Sequence, residues 1–341
     1  MEEWLQWQRR LVPEAVEIIR ERYGILRQLR HEGSQGRRLL ATRLGISERT
    51  ARHHIEFLRE AGFVYSGNSG VSLTPDGEQA LEVLADYVGQ MSGLNGLARD
   101  LEKQLKLVEV LIVPGDSDQD VSVLQELGRA GASVLAKHLK SDSVVAVGGG
   151  STLAQVAKAV NRPTPGVIVV PARGGLGENV EVQANTVAAV LAHGLGGSYR
   201  MIHMPDGLTE ETVDLVLKAD PMMGEVAKLI RKADILIQGI GRSEDMARRR
   251  HTSPELFKKI QENGAVGEAM GYYFRADGEP VYDTGSLGMK LNDLGKINFV
   301  LAVAGGSSKA NAILAVLRSG GQHTLVIDEG AAWSIAKLLK E

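Results

Sequence analysis

The sequence predicts an α/β protein, with an N-terminal winged helix-turn-helix followed by a C-terminal doubly wound α/β domain. Three observations carry that expectation. From Glu109 onward, short Val- and Ile-rich runs alternate with helical stretches, as in a parallel sheet covered on both faces. Between Arg37 and Leu58 two short amphipathic segments meet at Gly45, the layout of a helix-turn-helix. The composition is 43% apolar and 24% charged with 40 Gly in 341 residues, which fits a soluble globular chain of two or three domains with many tight turns.

Composition also excludes. With no Cys, disulfide frameworks, thiolate metal sites and Cys nucleophiles fall away. No apolar run approaches the ~18–20 residues that span a bilayer. Met1-Glu2-Glu3-Trp4 has neither a basic n-region nor an apolar h-region, so a cytoplasmic protein without membrane contact is expected. The net charge of −3 is unevenly spread. From Arg37 to Arg59 six Arg oppose two Glu, a local +4 that marks an anion-binding face.

Taken in order, Met1 to about Arg30 reads as helical, with Leu5, Leu11, Val16, Ile19, Tyr23 and Leu26 on its apolar side. Leu40 and Leu44 lie one turn apart, Gly45 ends that helix where φ > 0 is tolerated, and Ser47 caps a second helix. There Ala51, Ile55 and Leu58 point inward and Arg49, Arg52, His53 and Glu56 outward. His53 and His54 are neighbours, hence ~100° apart on a helix, and read as surface or DNA-facing groups rather than a metal pair. Residues 63–65 and 71–73, joined across 66–70, form a wing, and Thr74-Pro75 opens a helix that ends near Gly89. Residues 1–89 are therefore expected to bind double-stranded DNA through Arg37, Arg38, Arg43, Ser47, Arg49, Thr50, Arg52 and His53.

Over residues 90–108, Leu94, Leu97, Leu101, Leu105 and Val108 make a seam that either pairs with another helix or packs on its own chain. A homo-oligomer, at least a dimer on symmetric DNA, is expected. Residues 109–341 form the α/β domain, with strands at 110–113, 144–147, 167–170, 200–204, 235–238, 299–303 and 324–327.

Ligands of such sheets bind beyond the carboxyl ends of the strands, and polar residues collect there. After 144–147 come Gly148-Gly149-Gly150-Ser151-Thr152, a turn that lets backbone N–H groups approach a phosphate at a helix N-terminus. With no Lys after the glycines, this is neither a Walker A loop nor GxGxxG. The device recurs as Ala304-Gly305-Gly306-Ser307-Ser308-Lys309; two cradles favour a ligand with two phosphates, or with a phosphate and a polar group, the alternative being that one copy is only a tight βα turn with a capping Ser. Arg173, in Pro171-Ala172-Arg173-Gly174-Gly175, adds a guanidinium fork. Arg248-Arg249-Arg250-His251 reads as a solvated basic face or as a closure over a phosphate, and Gln183 as a mid-helix amide within reach of a sugar hydroxyl. Glu268 and Asp283 are carboxylates in Gly-rich loops, able to accept from sugar hydroxyls or to act as a base. There is no GxSxG, no HExxH and no acidic metal cluster, so no catalytic residue, metal or cofactor is expected.

These motifs, in this order together with Gly239-Ile240-Gly241, resemble the SorC family of sugar-responsive bacterial transcription regulators over nearly the whole chain. The resemblance implies an effector domain similar to phosphosugar isomerases and deaminases, used as a sensor without turnover. It implies Gly149, Gly150, Ser151, Thr152, Arg173 and Lys309 around phosphates, with Gln183, Arg250 and Glu268 completing the pocket. It also implies a repressor of glycolytic genes, with fructose 1,6-bisphosphate or a related sugar phosphate as effector, and dimers that associate into tetramers on a two-part operator. Two alternatives stand beside it. One is a sensor of a sugar monophosphate. The other is a phosphosugar isomerase or deaminase fused to a DNA-binding domain, with Glu268 or Asp283 as base.

Overall fold

A computed structural model of the chain describes residues 7–8, 10–67, 70–175, 179–205, 207–285 and 287–340. Leu5 of the first predicted helix, and Asn68 and Ser69 at the wing tip, lie outside them. The chain forms two compact units, one of Met1–Leu97 with Pro114–Val123, the other of Ala98–Val113 with Leu124–Glu341.

In the first unit, α1 (Pro13–Glu32) has Pro in its first turn, where a missing N–H breaks no helical bond. The next helix, α2 (Arg37–Leu44), stops at Gly45, whose φ of +65° lets its N–H return to the Ala41 and Thr42 carbonyls. Ser47 Oγ then accepts from Thr50 N–H at 3.0 Å and starts α3 (Glu48–Glu60). Ala51, Ile55 and Leu58 are buried as expected, but so is His54, at 4% exposure. Positions 51, 54, 55 and 58 fall on one stripe of a 3.6-residue helix. There Arg22 Nε donates to His54 Nδ1 at 3.3 Å, and His54 Nε2 meets Glu21 Oε2 at 2.7 Å. The expectation of a surface or DNA-facing His54 is thus corrected.

Strands β1 (Val64–Gly67) and β2 (Gly70–Leu73) pair antiparallel as the wing. Thr74 Oγ1 accepts from Gly77 N–H and opens α4 (Pro75–Met91). The core of this unit joins Ile25, Leu29, Leu40, Ile55, Val64, Val71 and Leu81. Leu94, Leu97 and Leu101 of α5 (Leu94–Leu105) are buried within their own chain. Of the expected seam, Val108 remains well exposed.

The second unit runs β3 (Glu109–Val113), α6 (Ser122–His138), β4 (Val144–Val147), α7 (Ser151–Ala159), β5 (Ile168–Pro171), α8 (Ala184–Gly194) and β6 (Ser198–Tyr199). It continues through α9 (Glu210–Ala219), α10 (Pro221–Arg231), β7 (Ile235–Gly239), β8 (Gly241–Arg242), α11 (Ser243–Arg249) and α12 (Pro254–Glu262). Last come β9 (Ala265–Ala269), β10 (Tyr272–Arg275), β11 (Pro280–Asp283), β12 (Phe299–Val303), α13 (Ala310–Arg318), β13 (Thr324–Asp328) and α14 (Glu329–Leu338). Seven strands form a sheet in the order β3-β13-β12-β7-β4-β5-β6, with every neighbouring pair parallel. From β4 the connections run outward through β5 and β6, then return to β7 on the other side. The β4–β7 boundary is therefore the topological switch point, where a crevice opens beyond the strand ends.

Two expectations change. The predicted strand over 200–204 does not form; pairing with β5 is confined to the two residues of β6 just before it. Beyond them the side chain of Asn185 takes over the ladder, donating to Ile202 O at 2.9 Å and accepting from Ile202 N–H at 3.0 Å. In addition, β8 to β11 form a separate antiparallel sheet. Glu268 is thus held in β9 and Asp283 in β11, not in loops.

Candidate functional site

The switch point opens into a cavity of about 310 Å³. Its floor is the turn after β4. Gly148 N–H donates to Ile237 O and Gly150 N–H to Val182 O, which pins the turn. A Cβ on Gly149 would sit 2.7 Å from Val182 O, and Gly150 has a φ of +118°, so neither tolerates a side chain. The first intrahelical bond of α7 runs from Ala154 N–H to Gly150 O. The N–H groups of Ser151, Thr152 and Leu153 therefore precede the helical ladder and carry the positive end of its dipole. This is an anion cradle made of main chain.

The same cavity also carries cationic side chains. Arg173, 6% exposed, donates through Nη1 to Glu268 Oε1 at 3.1 Å and through Nη2 to Thr284 Oγ1 at 3.0 Å. Arg250, just past α11, donates through Nη2 to the same Glu268 oxygen at 2.7 Å and through Nη1 to the Tyr273 hydroxyl at 2.9 Å. Gly271 N–H also reaches Glu268 Oε1, at 2.6 Å. Burial alone would raise the Glu268 pKa, but the charges of Arg250 and Arg173 with these hydrogen bonds outweigh it. The carboxyl is held below its ordinary value. A carboxylate so stabilised is a weak base. It suits an acceptor that stays ionised.

Gly149, Gly150, Ser151, Thr152, Arg173, Gln183, Arg250, Glu268 and Lys309 all line this one cavity. Gln183 does so as the residue that starts α8, not as a mid-helix side chain. Asp283 does not line it; it accepts from Gly285 N–H and faces Lys290 at 3.8 Å. Of the basic run, Arg249 and Arg250 reach the wall, whereas Arg248 is exposed and pairs with Asp245 at 3.8 Å. Sequence reasoning passed over Arg242, Asp245 and Gln238, which also line it. No group of three or more His, Asp or Glu suited to a metal occurs among the described residues.

The second glycine turn departs from its expected role. Gly306, at φ +100°, donates its N–H to Asp328 Oδ2 at 2.7 Å, while Asp328 Oδ1 accepts from Ala331 N–H and caps α14. Asp328 is fully buried. A carboxylate of the chain itself occupies that cradle, and of the expected motif only Lys309 reaches the cavity.

On the first unit, Arg37, Arg38, Ser47, Arg49, Arg52 and His53 are exposed, with Arg43 and Thr50 half-buried. Several arginines are already oriented by carboxylates. Arg38 meets Glu48 at 3.3 Å, Arg52 meets Glu56 at 2.9 Å, and Arg43 meets Glu32 at 3.4 Å. Such exposed pairs are weak enough to exchange for phosphate.

A helix-turn-helix with an Arg-bearing second helix, on one chain with a cationic switch-point cavity, defines a ligand-responsive transcription regulator. Comparison with known proteins gives the family. A sugar-binding domain model matches residues 90–337, and the CggR N-terminal DNA binding domain model matches residues 18–88. The chain belongs to the SorC family of sugar-binding transcriptional regulators, and is a DNA-binding regulator with a sugar-binding domain. It is 41% identical over 343 residues to the central glycolytic genes regulator of Bacillus subtilis (strain 168), covering 100% of both chains. A SorC family regulator from Enterococcus faecalis is 35% identical, with a TM-score of 0.66 over 71% of this chain and 99% of that one. The full-length sorbitol operon regulator SorC from Klebsiella pneumoniae shares the fold at 19% identity, with a TM-score of 0.65 over 93% and 97%. These relatives are transcription regulators, not enzymes.

Proposed function

We propose that the chain represses glycolytic genes by binding operator DNA through α3, and that a phosphorylated sugar in the cavity, foremost fructose 1,6-bisphosphate, weakens that complex. The observation that carries this reading is the cavity itself, which brings a main-chain anion cradle together with Arg173, Arg249, Arg250 and Lys309. The carboxylate of Glu268 and the amide of Gln183 line it too, groups suited to sugar hydroxyls. The name of the Bacillus subtilis relative supports glycolytic genes as the target. Dimers, and tetramers on a two-part operator, belong to the same proposal, because winged helices read symmetric half-sites. With the α5 leucines buried in their own chain, contact between copies would use another surface.

An effector acts only through different affinities for the DNA-competent and incompetent states. A coupling of about 1–3 kcal/mol shifts DNA affinity about 5–150-fold. Gel retardation on glycolytic upstream DNA, at one fixed salt concentration, with a panel of sugar mono- and bisphosphates, tests this. A sugar phosphate that weakens the complex within that range supports the reading, and a complex indifferent to every member overturns it. Arg49→Ala is expected to weaken operator binding by about 1–3 kcal/mol if it reads a base edge. A uniform loss across sequences, with a salt slope smaller by about 1, would assign it to a phosphate instead.

Asp328 in the second glycine turn favours one other reading, a sugar monophosphate ligand. Lys309→Ala separates the two in calorimetric titration. A bisphosphate effector is expected to lose affinity about 10–150-fold, the weight of a charge-assisted hydrogen bond. Unchanged affinity for fructose 1,6-bisphosphate would favour the monophosphate.

A further inference from the structure

Among the described residues, one side chain of the cavity wall has no partner for its polar atoms. Gln238 sits in β7, at the centre of the parallel sheet and at the switch point, opposite Ala302 of β12. Its side chain is 1% exposed, and neither Oε1 nor Nε2 has a hydrogen-bond partner among the described residues. Preceding it are Ile235, Leu236 and Ile237, all buried and apolar. An amide left unpaired in such a strand is destabilising, whereas Met or Leu would fill the volume without that cost. The backbone of β7 makes no demand for an amide, since its ladder to β12 is complete through Gly239. Gln238 lines the same cavity as the anion cradle and Glu268.

We propose that Gln238 is a specificity-determining residue that reads a hydroxyl of the bound sugar. The carboxamide carries an acceptor oxygen and a donor NH2 group, and a hydroxyl, itself donor and acceptor, can pair with either. The anion cradle recognises phosphate on any carbon skeleton, so it cannot separate one phosphorylated metabolite from another. Gln238 supplies a criterion the cradle lacks: a site built to hydrogen-bond a hydroxyl discriminates against a ligand without it, because the buried amide then stays unpaired. The inference rests on the sugar-phosphate reading above and deepens it.

Isothermal titration of the full chain with fructose 1,6-bisphosphate and, separately, with inorganic phosphate tests it, using wild type, Gln238→Met and Gln238→Leu. Both variants are expected to lose about 10–100-fold in affinity for the sugar ligand. Their loss for inorganic phosphate is expected to be much smaller, so the ratio of the two affinities falls. Without ligand, both are expected to melt no lower than wild type, because an unpaired buried amide has been removed. An unchanged affinity ratio in a folded variant overturns the role of Gln238. So does a lower melting temperature with equal losses for both ligands, which assigns the amide a structural task. If wild type binds neither ligand, the sugar-phosphate reading itself fails, an outcome distinct from either.

Discussion

Glu268→Ala is expected to destabilise the α/β unit by about 3–5 kcal/mol, the effect of removing one partner from a buried ion pair. Two guanidinium groups share this carboxylate, Arg173 at 3.1 Å and Arg250 at 2.7 Å, each with a side chain only 7% exposed. Both would be left charged and buried, and Gly271 N–H would lose its acceptor. Acid should mimic the substitution. The Glu268 carboxyl is held below its ordinary value of 4.5, burial opposing and the two arginines prevailing. Its contribution is therefore fully present above the unfolded-state pKa, and is lost as pH falls through the lower folded-state value. Urea denaturation across acidic pH reads both effects. Wild type should lose stability on the acid side of 4.5 more steeply than Glu268→Ala. Parallel pH profiles would mean that this carboxylate is not what ties the wall together.

Asp120→Ala is expected to cost the first unit a similar amount, about 3–5 kcal/mol. Arg27 of α1 is 7% exposed and donates to three groups of the segment Pro114–Val123. It reaches Asp120 Oδ2 at 2.5 Å, Ser122 Oγ at 3.1 Å and the Pro114 carbonyl at 2.8 Å. Asp120 Oδ1 also takes Gln28 Nε2 and the N–H and hydroxyl of Ser122. Truncating the carboxylate leaves a buried cation and several donors unsatisfied. Hydrogen exchange should show amides of α1 and of 114–123 losing protection together, while β4 and β12 keep theirs. Protection lost in α1 alone would show that the segment is held by other contacts.

Legibility in the sequence tracked the range of the interaction. The turn at Gly45 and Ser47 and the cradle at Gly148–Thr152 are local devices whose residues lie within one or two turns of each other. Arg173 and Lys309 were readable because each comes just after a strand, and a parallel sheet gathers the loops at its carboxyl ends along one edge. Gln183, Arg250 and Glu268 were open candidates on local sequence, and only the resemblance assigned them to the pocket. Glu268 reaches the cavity on an antiparallel sheet that the strand–helix alternation conceals. His54 shows the limit of a pairwise argument: its neighbour His53 is exposed, but the stripe through Ala51 and Ile55 turns it inward. Gln238 reads as the end of an apolar strand until its unpaired amide is seen. Asp328 lies 22 residues from Gly306, and nothing between them announces that it fills the turn.

That filled turn leaves the cavity a single main-chain cradle, and its two kinds of anion contact can evolve differently. On the proposed reading, one phosphate is grasped by peptide N–H groups, which every residue type except Pro supplies alike. Only loss of a glycine, or of the turn itself, alters that grip. The remaining positive charge comes from the side chains of Lys309, Arg249 and Arg250, each of which a single codon change can exchange or neutralise. Proteins built on this sheet can therefore drift toward new ligands one charge at a time, while the main-chain grip stays anchored.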